Sequence, residues 1–240
     1  MGGELVLLKH DDSAGPGWLL DRCVDRVGFF RVILVRSRSD LPPPNECNGV
    51  VFTSLSLDPA AIAARDPLVR EEVVFVRTLV GLGVPYLGID GGAQLLARAV
   101  LGQVGPDRHE AMGVRPIVVP DEARADPLFG PEAGQAHPVV WWPTHRIELP
   151  DRATVLAGSR SSPECFRVGE WAYGLLPHVE ATPLMFSGWV DQIGSPVPHR
   201  AELEASVEAA GESQRALAYR LMNRFIDRAS CFCHDVPVVR

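Results

Sequence analysis

The chain has 240 residues, 46% of them hydrophobic, enough to bury the core of one large α/β domain or of a domain with a helical appendage. Its 23 Lys and Arg against 30 Asp and Glu leave a net charge of -7, and no basic run interleaved with aromatics occurs, which argues against nucleic acid as a partner. The most apolar stretch, "LVGLGVPYLGI", is interrupted by glycines and proline and is far short of a membrane span, and "MGGELVLLKHDD" carries no basic n-region or long apolar run, so a location in the cytoplasm and no membrane contact are expected.

Taken in order, "ELVLLK" reads as a first strand and "GWLLDRCVDRVGF" as an amphipathic helix. "RVILVRS" is a second strand, followed by the proline-punctuated loop "DLPPPNECNG" and a short buried strand, "GVVFTS". "DPLVREEVVFVRTLVGLG" begins after Asp66-Pro67 and stops at glycine, as a helix should, and "VPYLGID" supplies a fourth strand. Short apolar strands alternating with helices predict an α/β fold, a mostly parallel sheet covered on both faces. After residue 105, "MGVRPIVVP", "HPVVWWPTHRIEL", "TVLAGSR" and "CFRVGEWAYGLLPH" read as strands of an antiparallel extension that returns to the main sheet. Leu217, Leu221, Phe225 and Ile226 lie at helical spacing, so 200–229 is expected to be a terminal helix and 230–240 a tail, all within one domain spanning 1–240.

The five cysteines are an odd, scattered set that reads as reduced thiols. Cys231, Cys233 and His234 are close in sequence, but with no second ligand cluster no metal site is expected.

Two stretches carry chemistry. In "VPYLGIDGGAQLLARAV" a strand ends at Gly88-Ile89-Asp90-Gly91-Gly92 and turns at once into a helix, which lifts one side chain above the sheet at the positive end of a helix dipole. In "YGLLPHVEATP", His178 and Glu180 are two apart on an extended segment, so a carboxylate can orient and stabilise an imidazole.

These motifs resemble the class I glutamine amidotransferase family, in the style of stand-alone proteins similar to the amidotransferase domain of GMP synthase. The family's elbow P-x-L-G-I-C-x-G-x-Q-L-L-A is matched by "PYLGIDGGAQLLA", and its G-x-Q-x-H-P-E by "GLLPHVE". The resemblance covers nearly the whole chain. It implies a flavodoxin-like sheet with an antiparallel flap and a C-terminal helix, no cofactor, and a site of Asp90, His178 and Glu180, with Gly91, Gln94, Thr53, Ser54, Trp142 and His145 against the substrate. Glu110 matches a position that helps hold a loop, and His109 reads as a surface residue. Of the adjacent Trp141 and Trp142, one is expected in the core and one along a cleft.

Two departures bear on activity. Asp90 stands where the family has its nucleophilic cysteine, and Thr53 and Ser54 stand where it has the glycines of an oxyanion-binding loop. A carboxylate that attacks an amide forms an intermediate from which carboxylate leaves more readily than amine, so glutaminase activity is not expected. Two functions follow. One is a repurposed enzyme acting on an amide, ester or acyl small molecule through Asp90, His178 and Glu180, in specialised biosynthesis. The other is a pseudoenzyme, a regulatory or structural partner of a synthase. An open cleft over Asp90 would favour the first, a pocket filled by bulky side chains the second. Oligomeric state is left open.

Overall fold

The computed structural model describes residues 3–10, 12–55, 66–109 and 112–232, with the backbone alone for 106–109. Its elements run β1 (Glu4–Lys9), α1 (Trp18–Arg26), β2 (Phe30–Leu34), β3 (Cys47–Ser54), α2 (Pro67–Leu82), β4 (Tyr86–Asp90), α3 (Gly91–Ala99), β5 (Gln103–His109) and β6 (Gly113–Val118). There follow β7 (Ala136–Trp141), β8 (Thr144–Glu148), β9 (Ala153–Ser159), β10 (Ser162–Val168), β11 (Ala172–Leu175), α4 (Pro183–Gln192) and α5 (Arg200–Cys231).

Seven strands form the main sheet in the order β2-β1-β3-β4-β11-β10-β9. The five from β2 to β11 are parallel, and β10 and β9 extend the sheet antiparallel. Strand β4 is buried at every position, as a central parallel strand covered by helices must be. Two antiparallel ribbons, β5 with β8 and β6 with β7, make the flap. The stretch "HPVVWWPTHRIEL", expected as one strand, is split at Pro143 between the two ribbons, because proline has no N–H to continue a ladder.

Helix boundaries follow local chemistry. Asp66 caps α2, accepting from the Leu68 and Val69 amides at 2.8 and 3.4 Å, and Gly83, with φ of 71°, ends it in the left-handed conformation. Thr182 caps α4 by accepting from the Met185 amide at 3.1 Å, with Pro183 in the first turn. Helix α5 runs two residues past the expected 229, burying Leu217, Leu221, Phe225 and Ile226 against the domain.

The apolar interior falls into two clusters. The larger surrounds the main sheet; the smaller, with Val140, Trp142, Phe186, Trp189 and Val207, lies under α4 and α5. Trp141 belongs to the first and Trp142 to the second, so both rings are buried on opposite sides of the chain. Cys23, Cys47 and Cys165 are buried free thiols, and burial pushes the first two up to about 12. Cys231 is exposed at the end of α5, and Cys233 and His234 lie outside the described residues.

Candidate functional site

The elbow between β4 and α3 exists because three glycines let backbones meet. A Cβ on Gly88 would fall 2.4 Å from the carbonyl carbon and oxygen of Gly92, and one on Gly92 would fall 2.1 Å from the Phe52 carbonyl oxygen of β3. A Cβ on Gly91 would meet the Leu55 carbonyl oxygen at 2.7 Å and Ser54 Oγ at 2.8 Å. Tyr86 fastens the turn by donating from its hydroxyl to the Gly92 carbonyl at 2.8 Å. At the apex Asp90 adopts φ 46° and ψ -100°, a conformation rare for a residue with a side chain.

His178 reaches the elbow from the segment after β11. Its amide donates to the Val140 carbonyl at 2.8 Å, tying the segment to β7. Gln214 of α5 clamps both: its Oε1 accepts from the Val140 amide at 2.8 Å, and its Nε2 donates to the carbonyls of Ala181 at 2.7 Å and His178 at 3.2 Å. The terminal helix therefore helps hold the imidazole in place. On the other side, the amide of Trp18 donates to the Glu180 carbonyl at 2.9 Å.

Within the site, His178 Nδ1 lies 2.8 Å from Glu180 Oε1, and its Nε2 lies 3.4 Å from Asp90 Oδ2. Asp90 Oδ1 accepts a hydrogen bond from the Thr144 hydroxyl and a long one, 3.5 Å, from Gln94 Nε2, which also donates to Thr144 Oγ1 at 3.0 Å. Asp90 and Gln94 are 0% exposed, and His178 and Glu180 1%. Burial alone disfavours an imidazolium, but the Glu180 and Asp90 carboxylates on either side outweigh it and push His178 up to about 10. At neutral pH the centre is thus an imidazolium held between two carboxylates.

Trp189 covers this pair. Its ring centroid stands 4.7 Å from that of His178, and its Nε1 donates to the Ser13 carbonyl at 2.8 Å. Trp142 packs edge-on against Trp189 and Phe186, at 5.5 and 5.9 Å between centroids. The smaller apolar cluster therefore packs against the His178 side of the elbow site.

Of the residues expected at the site, Asp90, His178, Glu180, Gly91 and Gln94 come together, and Trp142 stands behind Trp189. Thr53 does not reach them: its hydroxyl points to the first loop, donating to the Ala14 carbonyl at 2.7 Å. Ser54 adjoins the elbow, paired in register with Asp90, but its hydroxyl is engaged with His10. His145 turns away, because neighbours on β8 alternate; it lines a small pocket with Trp141, Ile147, Ser162 and Glu164, while Thr144 beside it faces Asp90. The side chains of His109 and Glu110 lie outside the described residues. Thr144, Trp189 and Gln214 also belong to the site, although no sequence motif marked them. Among the described residues no three metal-ligating side chains are grouped to hold an ion.

The fold and this elbow define the class I glutamine amidotransferase-like architecture. No protein-family model matches the chain, and no curated protein matches it in sequence. Solved structures do match in shape. A glutamine amidotransferase from Methylobacillus flagellatus aligns with TM-score 0.78 at 18% identity, over 95% of this chain and 96% of its own. One from Thermotoga maritima also gives 0.78, at 19% identity over 95% and 99%. A putative GMP synthase component from Thermoplasma acidophilum gives 0.58 at 15% identity over 96% and 98%.

Proposed function

We propose that this protein uses the glutamine amidotransferase fold without glutaminase activity, that its Asp90 elbow is a non-catalytic pseudoenzyme site, and that the domain acts as a regulatory or structural partner of a synthase of the kind that amidotransferase domains supply with ammonia. The observation that carries this reading is the condition of Asp90. The carboxylate at the elbow is fully buried, is engaged by Thr144, Gln94 and His178, and the imidazole beside it is packed against Trp189. A nucleophile needs a free face and room for a substrate carbonyl beside donors for the oxyanion, each donor being worth roughly 3 kcal/mol. Here Thr53 and Ser54 stand in place of the glycine loop, and their hydroxyls are bound elsewhere. A partner has surface available at the open edge of the sheet, where Val24 of α1, Val32 of β2 and Phe29 between them are 65%, 42% and 68% exposed.

One observation favours a second reading. A residue with a side chain held at positive φ stores strain, and such strain concentrates where chemistry is done. In this reading Asp90 attacks a saturated carbon or an activated acyl group, or acts as base, on an amide, ester or acyl small molecule, with His178 and Glu180 completing the site and Trp189 swinging aside to admit substrate.

The two readings separate by untargeted mass spectrometry of a metabolite extract from the source cell, incubated with the wild type or with Asp90→Asn. A feature consumed or produced only by the wild type would establish the enzyme and sink the partner reading. Matching incubations, with the folded variant still retaining the same proteins in a pull-down, are the expected result.

A further inference from the structure

A second relay stands one strand from the elbow, built from residues the first site does not use. His10, just after β1, places Nδ1 2.7 Å from Ser54 Oγ at the end of β3 and Nε2 2.5 Å from Glu72 Oε1 on α2. Glu72 is 0% exposed and, among the described residues, its other oxygen has no hydrogen-bond partner. A buried carboxylate needs a compensating group, and among the described residues His10 pairs with it. Phe52 meets the imidazole edge-on at 5.1 Å and holds its plane. In the tautomer with its proton on Nε2 the imidazole donates to Glu72, and the Nδ1 lone pair then faces the serine hydroxyl. The hydroxyl hydrogen has a second acceptor in the Leu55 carbonyl at 2.8 Å, so rotation about the Cβ–Oγ bond selects between resting and reacting positions.

We propose that Ser54, His10 and Glu72 form a serine acyl-transfer centre that acts on carboxylic esters, separate from the Asp90 network. The Ser54 oxygen attacks the ester carbonyl carbon while its proton passes to His10 Nδ1, whose other nitrogen is held by Glu72. Collapse of the tetrahedral intermediate breaks the bond to the alkoxy oxygen, and the alcohol leaves with the proton from His10. Water then attacks the acyl-serine, gives a proton to His10, and releases the acid with Ser54 restored. The negative oxygen of each intermediate forms beside the first turn of α3. Its leading N–H groups have no partner inside the helix, and the Asp90 side chain does not cap them. Gly91 keeps that turn close: a Cβ there would sit 2.8 Å from Ser54 Oγ. Unlike Asp90, which is 0% exposed, Ser54 keeps 4% of its surface and abuts His10, whose side chain is 20% exposed, so the relay is reached from the His10 side.

The test is an alkyl fluorophosphonate, which forms an oxygen–phosphorus bond with an activated serine as fluoride leaves. The full-length protein is treated and read by intact mass and peptide mapping. One adduct on Ser54 is expected, absent from Ser54→Ala and from urea-unfolded wild type, and formed about 100-fold more slowly in His10→Gln, the scale of a lost general base. Glu72→Gln is expected to slow it less, since that side chain only orients the imidazole. Ser54→Ala removes a single hydroxyl, so the mapping stands even if a glutamine variant fails to fold. No adduct on the native protein, an adduct that persists in Ser54→Ala, or labelling of Ser54 indifferent to a folded His10→Gln would overturn the proposal.

Discussion

Raising the pH from 7 to 8.5 is expected to destabilise the native protein by about 2 kcal/mol through His178, with a smaller addition from the buried thiols. Its folded pKa of about 10 stands above the ordinary 6.5, because the Glu180 and Asp90 carboxylates overcome the burial that opposes its charge. The folded state therefore holds a proton that the unfolded chain releases. The stabilisation is fully present below pH 6.5 and is lost as pH rises through 10, at about 1.4 kcal/mol per unit between them. Lys9 is the sole lysine. Tyr86, Tyr173 and Tyr219 are all shifted upward and stay protonated in both states across this window. The buried Cys23, Cys47 and Cys165 are shifted upward too, and because the unfolded chain has ionised about half of each thiol at pH 8.5, each adds about 0.4 kcal/mol to the loss there. Urea unfolding at intervals of half a pH unit measures the slope, and the imidazole carbon-bound proton followed by NMR reports the ionisation of His178 directly. A flat stability profile across this window, or a His178 already neutral at pH 8, would refute the picture of an imidazolium between two carboxylates.

Other perturbations test the frame around the site. Burial resists charge on Glu132, but Arg220 and Arg224 of α5 both donate to it and hold its carboxyl below the usual range. Glu132→Gln is expected to lose about 2 to 3 kcal/mol in urea unfolding, less than a wholly buried pair because the arginines are partly exposed. Gly92→Ala drives a methyl into the Phe52 carbonyl and is expected to cost about 3 kcal/mol or more, seen as a lowered Tm or loss of soluble protein. Gly81→Ala, inside α2 with nothing within 4 Å of the new Cβ, is expected to raise stability by about 0.5 to 1 kcal/mol. Asp90→Cys is expected to leave glutamine hydrolysis undetectable in an ammonia assay, because the thiol would stand at a fully buried position with Thr53 and Ser54 in place of an oxyanion loop.

The parts of this fold that depend on neighbours in sequence were the legible ones. The elbow is written in Gly88, Gly91 and Gly92, whose spacing has meaning because each glycine answers one close approach. His178 and Glu180 could be paired from their separation on an extended segment. The terminal helix showed in its apolar stripe. Position 143 marks the limit: the run through Trp142 reads as one strand, but proline ends the ladder there, and the residue that turns toward Asp90 is Thr144 and not His145. Helix α4 left a signal that could have been read, since Thr182-Pro183 is an N-cap followed by a first-turn proline, and Trp189 is carried on that helix. The relay of Ser54, His10 and Glu72 left none. Its members come from a strand end, a loop and a helix that meet only when the parallel sheet is assembled.

The most direct test of the central claim is release of labelled ammonia from glutamine carrying nitrogen-15 in its amide, with purified wild type compared against Asp90→Asn and against buffer. Release from the wild type no greater than from the other two is the predicted result. Ammonia formed by the wild type and lost in Asp90→Asn would contradict the account, because it would make the elbow carboxylate a working glutaminase nucleophile.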